Sequence, residues 1–311
     1  MEEYTFPQSE VIAASSFWRL ADALIVDPSA FGIREIAKPE FYPNVCPVQV
    51  GNGTVSITSE HYKRIISAQV LYVCANMLPI FFSLILPNLK RPIVIITGTT
   101  DENITKEIGL LAENPIIAHW FAQNVDTRHR KITPIPIGIA NENWPHGSKD
   151  AITQVMSDTV GKQELCYMNY KLTNQGIRLE LARKFIGQPF IKLEGQKPYL
   201  EYLRALKSCD YCLSPPGAGI DCHRTWESLY MGTIPLVSAG PWMSSFDDLP
   251  IVAVADWSPL EWKDILRMGG PFGRFNPMII PKLKFSWWAD HIRQTVSVVL
   301  GGSWTEQQVT S

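Results

Sequence analysis

Residues 209–238 read CDYCLSPPGAGIDCHRTWESLYMGTIPLVS. DYCLS is a short apolar run ending in Ser214, and it reads as a strand. PPGAG, with two prolines and two glycines in five positions, reads as the loop at its carboxyl end. Asp221 is expected to be the N-cap of a helix from Cys222 to Met231, stopped by Gly232. TIPLVS then reads as the next strand. A strand, a loop, a helix and a second strand in thirty residues make a βαβ unit and therefore a parallel sheet.

The same alternation extends outward from this stretch. Upstream, QELCYMNY is strand-like, TNQGIRLELARKFIG is a helix closed by Gly187, FIKLEG is a strand and YLEYLRALKSC is a helix. In the first half, RPIVIITGTTD is a strand running into a turn at Asp101. NPIIAHWFAQNVD carries another apolar run, and HRKITPIPIGIA ends in a strand punctuated by Pro and Gly. NENWPHGSKD, about residues 141–150, is polar and without periodicity, and is expected to link two domains. The predicted architecture is α/β: two Rossmann-like domains facing a cleft, residues 1–145 and 146–311. The last helix is expected to pack back on the first domain. In open α/β sheets ligands gather at the carboxyl ends of the strands.

Composition narrows the function classes. The chain has 311 residues, 46% hydrophobic and 19% charged, which is a globular balance with a core rather than a disordered one. A formal net charge of −2 gives no overall reason to bind nucleic acid or an acidic membrane. The six cysteines are irregularly spaced. They read as reduced, buried thiols, although Cys209-x-x-Cys212 with Cys222-His223 has a metal-like look. The start, MEEYTFPQSE, has neither a basic nor an apolar signal region, so a soluble, cytoplasmic location is expected. VLYVCANMLPIFFSLIL, residues 70–86, is too short and too interrupted for a membrane span, and is expected to be a buried helix broken at Pro79.

The chemistry sits on the opening stretch. Gly217 and Gly219 allow backbone N–H groups to come close to a ligand. The first turn of the following helix exposes free N–H groups and a partial positive charge, which favours phosphate. Arg224 lies in that turn and can fork onto phosphate oxygens. Glu227, one turn on, can accept from two ribose hydroxyls. The bland alternative is an i,i+3 ion pair on a solvated face; the glycine loop and the preceding strand weigh against it. No Gly-Lys-Ser/Thr follows the glycines, so this is no P-loop, and Gly217-x-Gly219 lacks the third glycine of a dinucleotide fingerprint.

The block CLSPPGAGIDCHRTWESLYMGTIPLVS resembles the signature of the exostosin-like glycosyltransferases. The segments IIAHWFAQNVD, KITPIPIGIANENWPHG and LCYMNYKLTNQGIR are similar to that group too, so the likeness spans roughly residues 90–240. It implies a GT-B fold, a nucleotide-sugar donor (UDP-linked, xylose or a similar sugar), a glycan acceptor and inversion at the anomeric carbon. It implies that Arg224 meets the diphosphate, that Glu227 meets the ribose and that Arg178 is the second cation. Lys171, Asn174, Ser214, Gly217, Gly219, His223 and Thr225 complete the expected donor set. Many members of the family carry a membrane anchor; this sequence shows none and more closely resembles the compact relatives in large algal viruses.

Transfer from a nucleoside diphosphate requires the departing charge to be neutralised. No Asp-x-Asp occurs in the sequence, so the arginines are expected to do this without a metal or other cofactor. An inverting transfer also needs a base on the acceptor hydroxyl. Asp101, at the end of its strand, is the first candidate, and Glu102, His119 and Asp126 follow it. A turn or cap role is the competing reading of Asp101. Two other functions fit the same architecture: a nucleotide-sugar epimerase, and a non-catalytic nucleotide-sugar-binding module.

Overall fold

The computed structural model describes residues 5–301 except 31, 32, 34–36, 52, 53, 173–175, 270 and 271. The chain forms two compact units, Ala14–Ile135 with Trp288–Ser311, and Met1–Ala13 with Pro136–Trp287. Compared with the expected cut between 145 and 146, the chain passes from unit to unit at 13/14, 135/136 and 287/288. Both units are parallel α/β sheets, the class that the alternating sequence pattern indicates.

The first unit is built on β1 (Ala23–Val26), β2 (Val45–Pro47), β5 (Val70–Cys74), β6 (Ile93–Gly98), β7 (Ile117–Ala122) and β8 (Ile132–Pro134), in the order β2-β1-β5-β6-β7-β8. Between them a small hairpin pairs β3 (Gln49–Gly51) with β4 (Thr54–Ser56). Strands covered on both faces need no polar alternation, and ALIV, VLYVC and IVIITG are buried at every position. This corrects the reading of residues 70–86. VLYVC is a strand, and helical turns begin only at Ala75, with Pro79 in the first turn of Leu78–Ile80, where it is tolerated. A continuous apolar run does not by itself distinguish a doubly covered strand from a buried helix.

The second unit holds β9 (Glu164–Met168), β10 (Ile191–Leu193), β11 (Cys209–Leu213), β12 (Ile234–Ser238) and β13 (Val252–Val254), ordered β10-β9-β11-β12-β13. Helices Ile177–Phe185, Tyr199–Lys207 and His223–Tyr230 follow β9, β10 and β11. Cys166, Met168, Tyr211, Leu213, Ile234 and Leu236 of the sheet pack with Leu181 and Phe185 in one core. The chain steps one way from β9 to β10 and the other way to β11, so the strand order reverses between β9 and β11. Loops leaving those two strands part there, which leaves room for a ligand at their carboxyl ends. In the first unit the same reversal falls between β1 and β5. No helix among the described residues is long and apolar enough to cross a membrane.

Candidate functional site

The reversal between β9 and β11 gathers the residues that the sequence singles out. Tyr170 lies just beyond β9, and the helices after β9 and β11 supply Arg178 and Arg224. The guanidinium carbons of Arg178 and Arg224 stand 5.5 and 5.4 Å from the Tyr170 ring centroid. Arg178 is 9% exposed. It donates through Nε to Pro216 O at 2.9 Å, and more weakly through Nη2 to Pro215 O and Nη1 to Lys171 O. Burial, and then the like charge of Arg224, lower its pKa. The Arg224 Nε and Nη1 are buried and have no hydrogen-bond partner among the described residues. Buried guanidinium donors are costly to leave unmet, so an anionic acceptor suits this place.

The glycine loop works differently from the sequence expectation. A Cβ on Gly217 would lie 2.7 Å from Arg178 Nη2, so any larger residue there makes the guanidinium shift. The Gly217 N–H is spent on Gly219 O at 3.0 Å. Ser214 and Thr225 are buried and bond to each other at 3.0 Å, tying the end of β11 to the helix. Lys171 is exposed and Asn174 lies outside the described residues.

Asp221 is not the N-cap. Cys222 holds that position, without a side-chain cap bond, and the helix runs His223–Tyr230 before Gly232 turns it at φ +64°. Asp221 is 4% exposed and accepts from the Ile137 N–H at 3.0 Å and from Trp226 Nε1 at 3.0 Å. Burial pushes its pKa up to about 7 against these donors. His223 Nδ1 meets Gly138 O at 2.8 Å, and burial pulls its pKa down to about 4. Together Asp221 and His223 grip the backbone of residues 137 and 138.

Glu227 is 4% exposed and both its oxygens are engaged: Oε1 accepts from the Tyr199 hydroxyl at 3.0 Å and Oε2 from that of Tyr202 at 2.8 Å. Burial raises its pKa; the tyrosine bonds and Arg224 oppose the rise. A ribose diol at Glu227 has to share or displace those hydroxyls. Tyr170, Tyr199, Tyr202 and His146, whose pKa is lowered by burial and then by Lys171, were not foreseen. The tyrosines lie in plain helix and strand-end patterns, and no spacing in the sequence marks them as partners of Arg224 and Glu227.

Asp101 belongs to the other unit. It is exposed at the end of the turn leaving β6, and burial of its carboxyl and then Glu102 raise its pKa. That turn is fixed by Thr99, which adopts φ +67°, rare for a β-branched residue. The Thr99 N–H donates to Gln123 Oε1 at 2.9 Å, and its Oγ1 bonds to Trp18 Nε1 and the Tyr72 hydroxyl. Thr100 Oγ1 and Asn76 Oδ1, at the ends of β6 and β5, are buried without a partner among the described residues. His119 is bound to Thr133 Oγ1 at 2.9 Å inside the sheet, and its pKa is lowered to about 4 by burial and His291. Asp126 is exposed.

Among the described residues no group of three or more His, Cys, Asp or Glu is arranged to hold a metal ion. Cys209 and Cys212 are buried, their thiols directed at the carbonyls of Ala205 and Leu213.

No protein-family model matches the chain, and no curated protein matches it. Solved structures similar to it include the glycotransferase of kitacinnamycin, at 11% identity and TM-score 0.37 over 90% of this chain and 88% of that one. A glycosyltransferase involved in avilamycin A biosynthesis is 12% identical, with TM-score 0.36 over 85% of this chain and 84% of that one. The UDP-GlcNAc 2-epimerase from Methanocaldococcus jannaschii is 11% identical, with TM-score 0.37 over 89% of this chain and 98% of that one.

Proposed function

We propose that the protein is a glycosyltransferase of GT-B type that uses a nucleoside-diphosphate sugar, UDP-linked, and a carbohydrate acceptor. The observation that carries this reading is the Arg178–Tyr170–Arg224 arrangement at the strand reversal, with the buried Nε and Nη1 of Arg224 meeting no acceptor among the described residues. Two guanidiniums beside one another suit a ligand with two adjacent negative groups, as a diphosphate has. The exostosin-like motif around them supports the same assignment.

In the proposed reaction the acceptor oxygen attacks the anomeric carbon from the face opposite the diphosphate. The new carbon–oxygen bond forms as the bond to the diphosphate breaks, and the electron pair leaves on the diphosphate, where the arginines stabilise it. The acceptor proton passes to a carboxylate, for which Asp101 is the proposed base. This account needs no metal for the departure step.

The test is binding and transfer by the full chain. UDP is expected to raise the melting temperature, by an amount equivalent to about 2.7 kcal/mol at a hundred times its Kd. Arg224→Ala should weaken UDP by about 1.5–3 kcal/mol, and Arg224→Lys should not restore it fully, since an ammonium cannot fork. Unchanged UDP affinity in Arg224→Ala refutes the phosphate assignment. Interconversion of UDP-sugars without an acceptor shows an epimerase instead. Loss of transfer in EDTA, restored only by a divalent ion, refutes the metal-free account.

A further inference from the structure

The geometry points to His223 as the acceptor of a hydrogen bond from a hydroxyl of the sugar portion of the ligand, not as a phosphate contact. This inference rests on the nucleotide-sugar reading above. Its starting point is the 2.8 Å contact between Nδ1 and the carbonyl oxygen of Gly138. A carbonyl only accepts, so Nδ1 carries the proton. Gly138 is itself fixed: it adopts φ +68°, and a Cβ there would strike Ile12 O at 2.2 Å. The partner that selects the tautomer therefore has little freedom to move.

The second nitrogen follows from the first. Burial, then the charges of His146 and Arg224, disfavour a second proton on the ring and outweigh the Gly138 bond. In the neutral ring Nε2 is a lone pair with no proton. It has no hydrogen-bond partner among the described residues, and it is not among the buried polar atoms left unpaired. A lone pair repels a phosphate oxygen and accepts from an O–H. His223 adjoins Arg224 in the chain and feels its charge, so a molecule anchored by its anionic part on Arg178 and Arg224 brings its neighbouring groups near this nitrogen. In a nucleotide sugar, hydroxyl-bearing groups flank the diphosphate on both sides, the ribose and the donor sugar, and His223 is assigned to the donor sugar. His223 would then help decide which sugars are accepted.

Asparagine and glutamine separate the two nitrogens. His223→Asn can still donate to Gly138 O from the Nδ1 position but has nothing at Nε2; His223→Gln reaches the Nε2 position and gives up the Gly138 bond. Kd is measured by calorimetry for UDP, UDP-xylose, UDP-glucose and UDP-N-acetylglucosamine with the parent and both variants. At least one sugar nucleotide should bind the parent more tightly than UDP. That advantage should fall about three- to tenfold in His223→Asn, the worth of one neutral hydrogen bond, with UDP affinity held within about twofold. An equal loss for UDP and every UDP-sugar places His223 on the nucleotide part, phosphate or ribose, and overturns the inference. So does an unchanged advantage, or a parent that binds all four ligands equally. A parent that binds none of them, UDP included, refutes the nucleotide-sugar reading itself. The variants' folding does not decide the matter, because 15N NMR of the parent imidazole gives an independent answer. On adding the preferred sugar nucleotide, Nδ1 should stay protonated and the Nε2 resonance should move as a hydrogen-bonded acceptor. An Nε2 that gains a proton, or does not move, overturns the proposal.

Discussion

Asp221 makes the stability of this protein depend on pH in an unusual direction. Its carboxyl is buried and its pKa stands at about 7, against 3.8 for an unburied aspartate. Between those values the folded state keeps a proton that the unfolded chain has lost. Stability from this group is therefore complete below about pH 4 and is lost as pH rises to about 7, above which it stays flat. The shift corresponds to about 4 kcal/mol in all, of which about 2 kcal/mol falls between pH 5 and 7. Asp221→Asn removes the titration and keeps an acceptor oxygen for Trp226 Nε1 or the Ile137 N–H. Urea unfolding of parent and variant at half-unit steps from pH 5 to 8 isolates the term, since every other titrating group cancels in the difference. The parent should lose about 2 kcal/mol relative to the variant from pH 5 to 7, and no more from 7 to 8. A constant difference across the range shows that Asp221 is ionised throughout and that its donors, the Ile137 and Cys222 backbones and the Trp226 indole, outweigh burial.

Other perturbations give separate readings of the site. Gly217→Ala makes the Arg178 guanidinium shift at Nη2, so UDP affinity should fall about tenfold if its charge-assisted bond to phosphate is lost; unchanged affinity means that Arg178 has another resting place. Tyr199→Phe and Tyr202→Phe each leave a Glu227 oxygen without its donor and should cost about 1–3 kcal/mol in urea unfolding. UDP and its 2′,3′-dideoxy analogue should bind within about twofold of each other, because Glu227 is already engaged; a large preference for UDP that vanishes in Glu227→Gln restores the ribose role. Asp101→Asn should lower transfer by about 10²–10⁴-fold while UDP affinity and melting temperature hold, and full activity excludes Asp101 as the base.

The elements from β9 to β12 were legible because β9, β10 and β11 are each followed by a turn signal and a helix with its own period, as in Cys209–Leu213, the Pro-Gly loop and His223–Tyr230. The first fifty-six residues were not. Their strands are three or four residues long, and the helical pieces Gln8–Glu10 and Ser16–Leu20 are single 3₁₀ turns, too short for any period to register. The unit crossings at 13/14 and 287/288 carry no composition change either. At the site, residue types announced themselves and partners did not. Arg178 and Arg224 stood out as cations near a glycine loop, but no sequence pattern says that Tyr170 stands beside both, or that two tyrosines on another helix hold Glu227.

Those partners also divide the labour between two residues that look alike in sequence. Arg178 spends its donors on the carbonyls of Pro216, Pro215 and Lys171, and so its charge is bound up in holding the loops after β9 and β11. Arg224 has buried donors that find no acceptor in the described protein. Burial, and then the charge of Arg224, lower the pKa of Arg178; burial opposes the Arg224 charge too, but Tyr202, Cys212, Cys222 and Glu227 outweigh it and raise that pKa. An anion beside them offsets the like charge felt by Arg178 and meets the Arg224 donors at once. Arg178→Ala should therefore harm folding and binding together, by freeing the loops, whereas Arg224→Ala should harm binding more than stability, since it removes a buried cation with unmet donors. Urea unfolding of the two variants without ligand decides it. Equal destabilisation would mean that Arg224 has a structural partner after all and that the division of roles is wrong.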